Sequence, residues 1–102
     1  MTPPARFRIS YSQFQAQQIR ILRNRAASAG RLEEFVDALE TIRRHLETDP
    51  IAFGDQTHTL TGLDVPIYHR IHSILLVRYG VDVSRRLVYL QDIDLFPTNL
   101  GL

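Results

Sequence analysis

A chain of 102 residues, 44% hydrophobic and 23% charged, has the size and balance of one globular domain with a modest core, and excludes a disordered segment or an enzyme with a large enclosed cofactor cleft. With no cysteine there is no disulfide, thiolate nucleophile, iron–sulfur cluster or cysteine-ligated zinc. The net charge of +1 hides a segregation: residues 1–31 hold six Arg and no acid, whereas 32–66 hold eight acids against Arg43 and Arg44. All twelve basic residues are Arg. A GC-rich genome produces that bias, and so does recognition of phosphate or carboxylate by forked, permanently charged guanidinium groups.

Met-Thr-Pro-Pro does not begin a signal peptide, and the longest aliphatic run, Ile74 to Val77, is far short of the roughly 20 residues that span a bilayer. A cytoplasmic protein without a membrane partner is expected, with residues 1–102 as a single domain. Arg6 to Tyr11 alternates polar and apolar, which predicts a half-buried strand with Phe7, Ile9 and Tyr11 toward the core. From Ser12, a plausible N-cap, to about Ala29, the residues Phe14, Ile19, Ile21, Leu22, Ala26 and Ala29 predict one apolar side of a helix, with Arg20 and Arg23 pointing away. Gly30 breaks it. Leu32, Phe35, Val36, Leu39, Ile42 and Leu46 predict a second helix with an acidic outer face, stopped by Asp49-Pro50. Two amphipathic helices so closely joined form an antiparallel hairpin.

After a loop through Gly54, a weaker strand is expected from Thr57 to Val65, ended by Pro66. Ile67 to Val81 and Arg85 to Phe96 give the strongest strand signals, joined at Asp82-Val83-Ser84. The expected order is β-α-α-β-β-β: an α+β fold with the helix hairpin on one face of a mostly antiparallel sheet. Parity then assigns side chains to faces. The odd positions Ile71, Leu75, Val77, Tyr79, Leu87, Tyr89, Ile93 and Leu95 are expected under the helices. The even positions Tyr68, Arg70, His72, Ile74, Leu76, Arg78, Arg86, Val88, Leu90, Asp92, Asp94 and Phe96 are expected on the open face, joined there by Arg6 and Arg8.

The order of elements resembles the RelE/ParE superfamily of toxins from type II toxin–antitoxin systems. Local features that carry the resemblance are Asp49-Pro50 and Phe53-Gly54 after the second helix, Leu60-Thr61-Gly62, Tyr68, Tyr79-Gly80-Val81-Asp82, and Arg85-Arg86-Leu87-Val88-Tyr89-Leu90. The resemblance implies a toxin-like protein that cleaves mRNA on the ribosome or poisons DNA gyrase, with an antitoxin as its partner. The chain departs from the cleaving members at three places: Leu75 or Leu76, and Leu95 or Phe96, stand where they carry basic residues, and only Pro97 to Leu102 stands where they have a C-terminal helix with a catalytic Tyr. A catalytically inactive binding protein of the same fold is therefore the alternative.

RNA cleavage by the 2′-hydroxyl needs a proton acceptor, a proton donor and positive charge on the phosphorus. Arg70 and His72, roughly 6.6 Å apart on one strand, are the catalytic candidates, with His72 expected opposite Asp94. A half-exposed His in a rim salt bridge is the plainer reading of the same residue. Arg6, Arg8, Arg70, Arg78 and Arg86, with Tyr68 as a stacking platform, are the nucleic-acid-binding candidates. The plainer alternative there is Arg stems covering a solvated sheet. His69-x-x-His72 does not predict a metal site, because strand residues three apart face opposite ways, and no cofactor is expected. Ile74, Leu76, Val88 and Leu90, with Phe96, are expected to form an open apolar patch covered by an antitoxin or by a second copy in a dimer.

Overall fold

The structure, a computed structural model, describes residues 6–60 and 65–96. The opening Met-Thr-Pro-Pro, residues 61–64 of the expected second strand, and the tail from Pro97 lie outside the described residues. The elements run β1 (Arg8–Ser10), α1 (Gln13–Ser28), α2 (Leu32–Thr48), α3 (Pro50–Phe53), β2 (Asp55–Leu60), β3 (Val65–His72), β4 (Leu75–Asp82) and β5 (Leu87–Leu95). The strands form one mixed sheet in the order β1-β5-β4-β3-β2, parallel between β1 and β5 and antiparallel elsewhere. The class is α+β. Among the described residues no helix is long and apolar enough to cross a membrane.

The start of α1 follows from its capping box. The Ser12 hydroxyl accepts from the Gln15 backbone N–H at 3.1 Å, and the Gln15 side-chain oxygen accepts from the Ser12 N–H at 2.9 Å. Gly30, at φ +73°, ends the helix turn in a left-handed conformation that costs glycine little. Helix α2 buries Phe35, Ala38, Ile42 and Leu46, a 3.6-residue stripe, and its outer face is laced by Arg31–Glu34, Arg43–Glu40 and Arg43–Glu47 ion pairs. Only Leu22 and Ala26 of α1 are buried, with Ile19 packed against the core. Phe14 and Ile21, expected inside, are 74% and 53% exposed; Tyr11, Ala29 and Val36 are exposed as well. Ile21 and Leu22 are separated by about 100° of helix rotation, so burying one turns the other out.

Two irregularities overturn the parity expected for the last strands. The first is a hairpin inside the expected Ile67–Val81 strand: His72 pairs with Leu75 across Ser73-Ile74, and Ser73 takes φ +55°. Ile74 carries no turn signal because its side chain is buried, and its carbonyl accepts from the Phe96 N–H at 2.8 Å. The second is a bulge at Gln91, since Arg78 faces Asp92 while Tyr79 faces Leu90. The Gln15 side-chain amide donates to the Leu90 carbonyl at 2.5 Å and to the Gln91 carbonyl at 3.2 Å, which ties the start of α1 to the bulge.

These two features decide the faces. Leu75, Val77, Tyr79, Ile93 and Leu95 lie in the core, but Ile71 is exposed and Leu87 and Tyr89 share the other face with Asp82 and Gly80. Val88 and Leu90, expected outside, are buried in the core because the bulge shifts β5 by one residue ahead of Ile93. Ile74 is buried too, so of the expected open patch only the half-buried Leu76 remains on the open face, and Phe96 is half-buried at the end of β5. The turn between β4 and β5 is residues 83–86, not Asp82 to Ser84, so Asp94 stands opposite Leu76 and not opposite His72.

Candidate functional site

The last turn of α2 places His45 and Asp49 four residues apart, on one side of the helix. The His45 Nδ1 and Asp49 Oδ1 atoms are 2.8 Å apart, and the same carboxylate oxygen accepts from the Thr48 hydroxyl at 3.0 Å. Pro50 starts α3 at a position where a helix needs no N–H, and the single turn that follows delivers Phe53 to the sheet. Gly54 lets the chain pass close beneath. A Cβ there would stand 2.5 Å from the Tyr79 hydroxyl and 3.0 Å from the His69 carbonyl.

Phe53 is the hub of the site. The His45 ring stacks on it at 4.5 Å between centroids, the His72 ring meets it tilted at 6.2 Å, and the Arg70 guanidinium carbon lies 5.3 Å from its centre. Strand β3 supplies Tyr68, Arg70 and His72 on the side of the sheet that carries the core, in register with Tyr79, Val77 and Leu75. Tyr68 and Tyr79 stack at 5.7 Å, and the Tyr79 hydroxyl donates to the Pro50 carbonyl at 2.6 Å, holding α3 down. Burial, with Tyr68 nearby, pushes the Tyr79 phenol well above its ordinary range, so it remains a hydrogen-bond donor at neutral pH.

Burial is also the leading reason that the His72 pKa falls below the ordinary 6.5, followed by the adjacent charges of Arg70 and His45. His72 is therefore neutral and able to accept a proton at pH 7. Linkage gives the sign for stability. The unfolded chain binds the His72 proton at higher pH than the folded one, so this contribution is complete above 6.5 and is lost as pH falls through the folded value. Urea titrations from pH 8 to 5 are expected to show a fall in stability that is smaller in His72→Gln; an identical fall in both proteins would show that His72 does not carry it.

The site-residue expectations divide among three places. Arg70, His72 and Tyr68 are together, although on the helix side of the sheet and with Tyr68 buried under its neighbours, so it offers no open stacking surface. Arg78 is exposed on the open face, with Asp92 and His69 as its cross-strand neighbours. Arg6, Arg8 and Arg86 lie at the β1 edge: Arg6 is 3.9 Å from Glu47, Arg8 faces Leu87 in the register, and Arg86 lies over Phe7 at 5.7 Å. The basic residues thus do not form one continuous surface. His69 and His72 face opposite sides of β3, and among the described residues no three His, Asp or Glu gather as metal ligands. His45, Asp49 and Phe53 were missed by the sequence reading. The spacing of His45 and Asp49 was a usable signal, but their meeting with β3 was not, since it depends on where α2 ends over the sheet.

Chemically, the arrangement brings two imidazoles and one guanidinium around a single apolar ring, with a carboxylate on one of the imidazoles, His72 half-buried and Arg70 exposed to solvent. That is the inventory for moving two protons at an anionic centre. Comparison of the chain with protein-family models, with curated proteins and with solved structures finds no match.

Proposed function

We propose that the protein is a toxin-like member of a toxin–antitoxin pair, akin to the RelE/ParE superfamily, that cleaves RNA by side-chain acid–base chemistry at the Phe53 cluster. The observation that carries this reading is the convergence of His72, His45 and Arg70 on one ring, with His45 held by Asp49. The family reading draws its support from a helix hairpin laid on a largely antiparallel sheet in about one hundred residues.

In this mechanism His72 takes the proton of a ribose 2′-hydroxyl as its oxygen attacks phosphorus. Arg70 faces the charge that builds on the non-bridging oxygens. His45, oriented by Asp49, gives a proton to the departing 5′-oxygen as that P–O bond breaks. The products are a 2′,3′-cyclic phosphate and a free 5′-hydroxyl, so protons and bonds balance. The usual basic positions of the cleaving family are occupied here by Leu75 or Leu76 and by Leu95 or Phe96, and the cluster supplies equivalent charge from α2 and β3.

The test is cleavage of a short oligoribonucleotide, alone and on ribosomes, with EDTA present and a 2′-deoxy substrate as control. Cyclic-phosphate ends from the ribose substrate alone are expected, and His72→Gln, His45→Gln and Arg70→Gln are each expected to slow the reaction about a hundredfold or more. Induction of the wild-type gene is expected to arrest growth, and His72→Ala to relieve it. Arrest that persists in that variant, with no cleavage by the wild-type protein, would establish the non-catalytic binding reading instead.

A further inference from the structure

A concavity lies beside α2, and none of the residues of the Phe53 cluster lines it. It holds about 690 Å³ between the helix hairpin, β1 and the sheet. That is within the roughly 300–1,000 Å³ of small-molecule sites. Its floor is apolar and made of core side chains, among them Ile42 and Leu46 of α2, Val77 of β4 and Leu90 and Ile93 of β5. Its mouth is polar, with Arg6, Arg8, Arg43 and Glu47.

The architecture explains why this space is open. Strand β1 is only three residues long and pairs with Leu87 to Tyr89, so β1 does not continue along the sheet edge past Tyr89, and at the bulge the Gln15 side chain meets the Leu90 and Gln91 carbonyls in its place. Water over such an apolar floor finds few hydrogen-bond partners, so an apolar occupant is favoured there.

The charges at the mouth select the occupant. Arg43 is shared between Glu40 and Glu47, and Arg6 approaches Glu47 only at 3.9 Å with its side chain 74% exposed. Arg8 has no ion pair among the described residues. Three guanidinium groups, Arg6, Arg8 and Arg43, against the two carboxylates of Glu40 and Glu47 leave one unmatched positive charge above an apolar hollow. We propose that this hollow binds a small amphipathic anion, a medium-chain carboxylate whose alkyl body fills the floor and whose head group lies against Arg6 and Arg8. A neutral or cationic head would gain the same apolar burial without the charge-assisted hydrogen bonds.

Isothermal titration with decanoate, decan-1-ol and decyltrimethylammonium, all below their micellar concentrations, separates these terms. One saturable decanoate site is expected, with the alcohol about tenfold weaker and the ammonium weaker still. The double variant Arg6→Gln/Arg8→Gln is expected to bring decanoate down to the level of the alcohol. Ile19→Trp, which adds a bulky ring to the pocket wall from a half-buried position, is expected to abolish binding of all three while circular dichroism is unchanged. Absence of saturable decanoate binding would overturn the proposal, as would equal affinity for the three head groups or indifference of decanoate to the Arg substitutions. None of these outcomes depends on RNA cleavage.

Discussion

Phe35→Ala is expected to remove about 3–5 kcal/mol of stability, a large share of the roughly 5–15 kcal/mol that holds a domain of this size. Phe35 is 1% exposed and is the largest side chain that α2 buries. Its removal loses both the transfer energy of the ring and the contacts of the atoms that lined it, in a core where few neighbours can move to fill the gap. Val36 is the control. One residue along, it is 46% exposed, and Val36→Ala is expected to change stability by no more than about 0.5 kcal/mol. Urea denaturation of the two variants measures the difference. Equal effects would mean that α2 does not present the 35, 38, 42, 46 stripe to the sheet.

Tyr79→Ala is expected to cost a similar amount, about 3–5 kcal/mol, and to disturb the Phe53 cluster as well. Tyr79 is fully buried at the centre of β4, stacks on Tyr68, and its hydroxyl holds the Pro50 carbonyl, so it connects the sheet to the short helix that carries Phe53. Tyr79→Phe keeps the ring and removes the hydroxyl with its bond to the Pro50 carbonyl and its contact with the Gly54 backbone; it is expected to cost about 1–3 kcal/mol, because a buried carbonyl loses its donor. The informative measurement is the His72 titration followed by NMR in both variants. In Tyr79→Phe the pKa is expected to remain depressed, and in any folded fraction of Tyr79→Ala to move back toward 6.5 as Phe53 and the desolvation it provides are lost. A His72 pKa unmoved by Tyr79→Ala would show that α3 is held in place by other contacts.

Much of the helical half of the molecule was legible residue by residue. Ser12 marks the start of α1, Gly30 its end, and Asp49-Pro50 the stop of α2, because capping and backbone restriction act within a few residues. The stripe of α2 was legible in most positions for the same reason. In the sheet, the apolar odd positions of β4 were read correctly, and those of β5 only beyond Gln91. The hairpin at Ser73-Ile74 escaped because the turn uses no Gly, Asn or Asp, and its second residue is apolar for the sake of the core.

By itself, then, the sequence determined an α+β chain with a helix hairpin and apolar strands, and it picked out Arg70 and His72 as a pair on one strand face. Tertiary structure decided which face that is, and it added His45, Asp49 and Phe53 to them from more than fifteen residues away. The physical reason lies in the period of a strand. A period of two makes every assignment to a face conditional on the count of residues before it, so one unmarked turn at Ser73 and one extra residue at Gln91 were enough to exchange inside and outside. Neither is set by local preference. The turn is held by the burial of Ile74 and the bulge by the side chain of Gln15, contacts that exist only once the chain has folded.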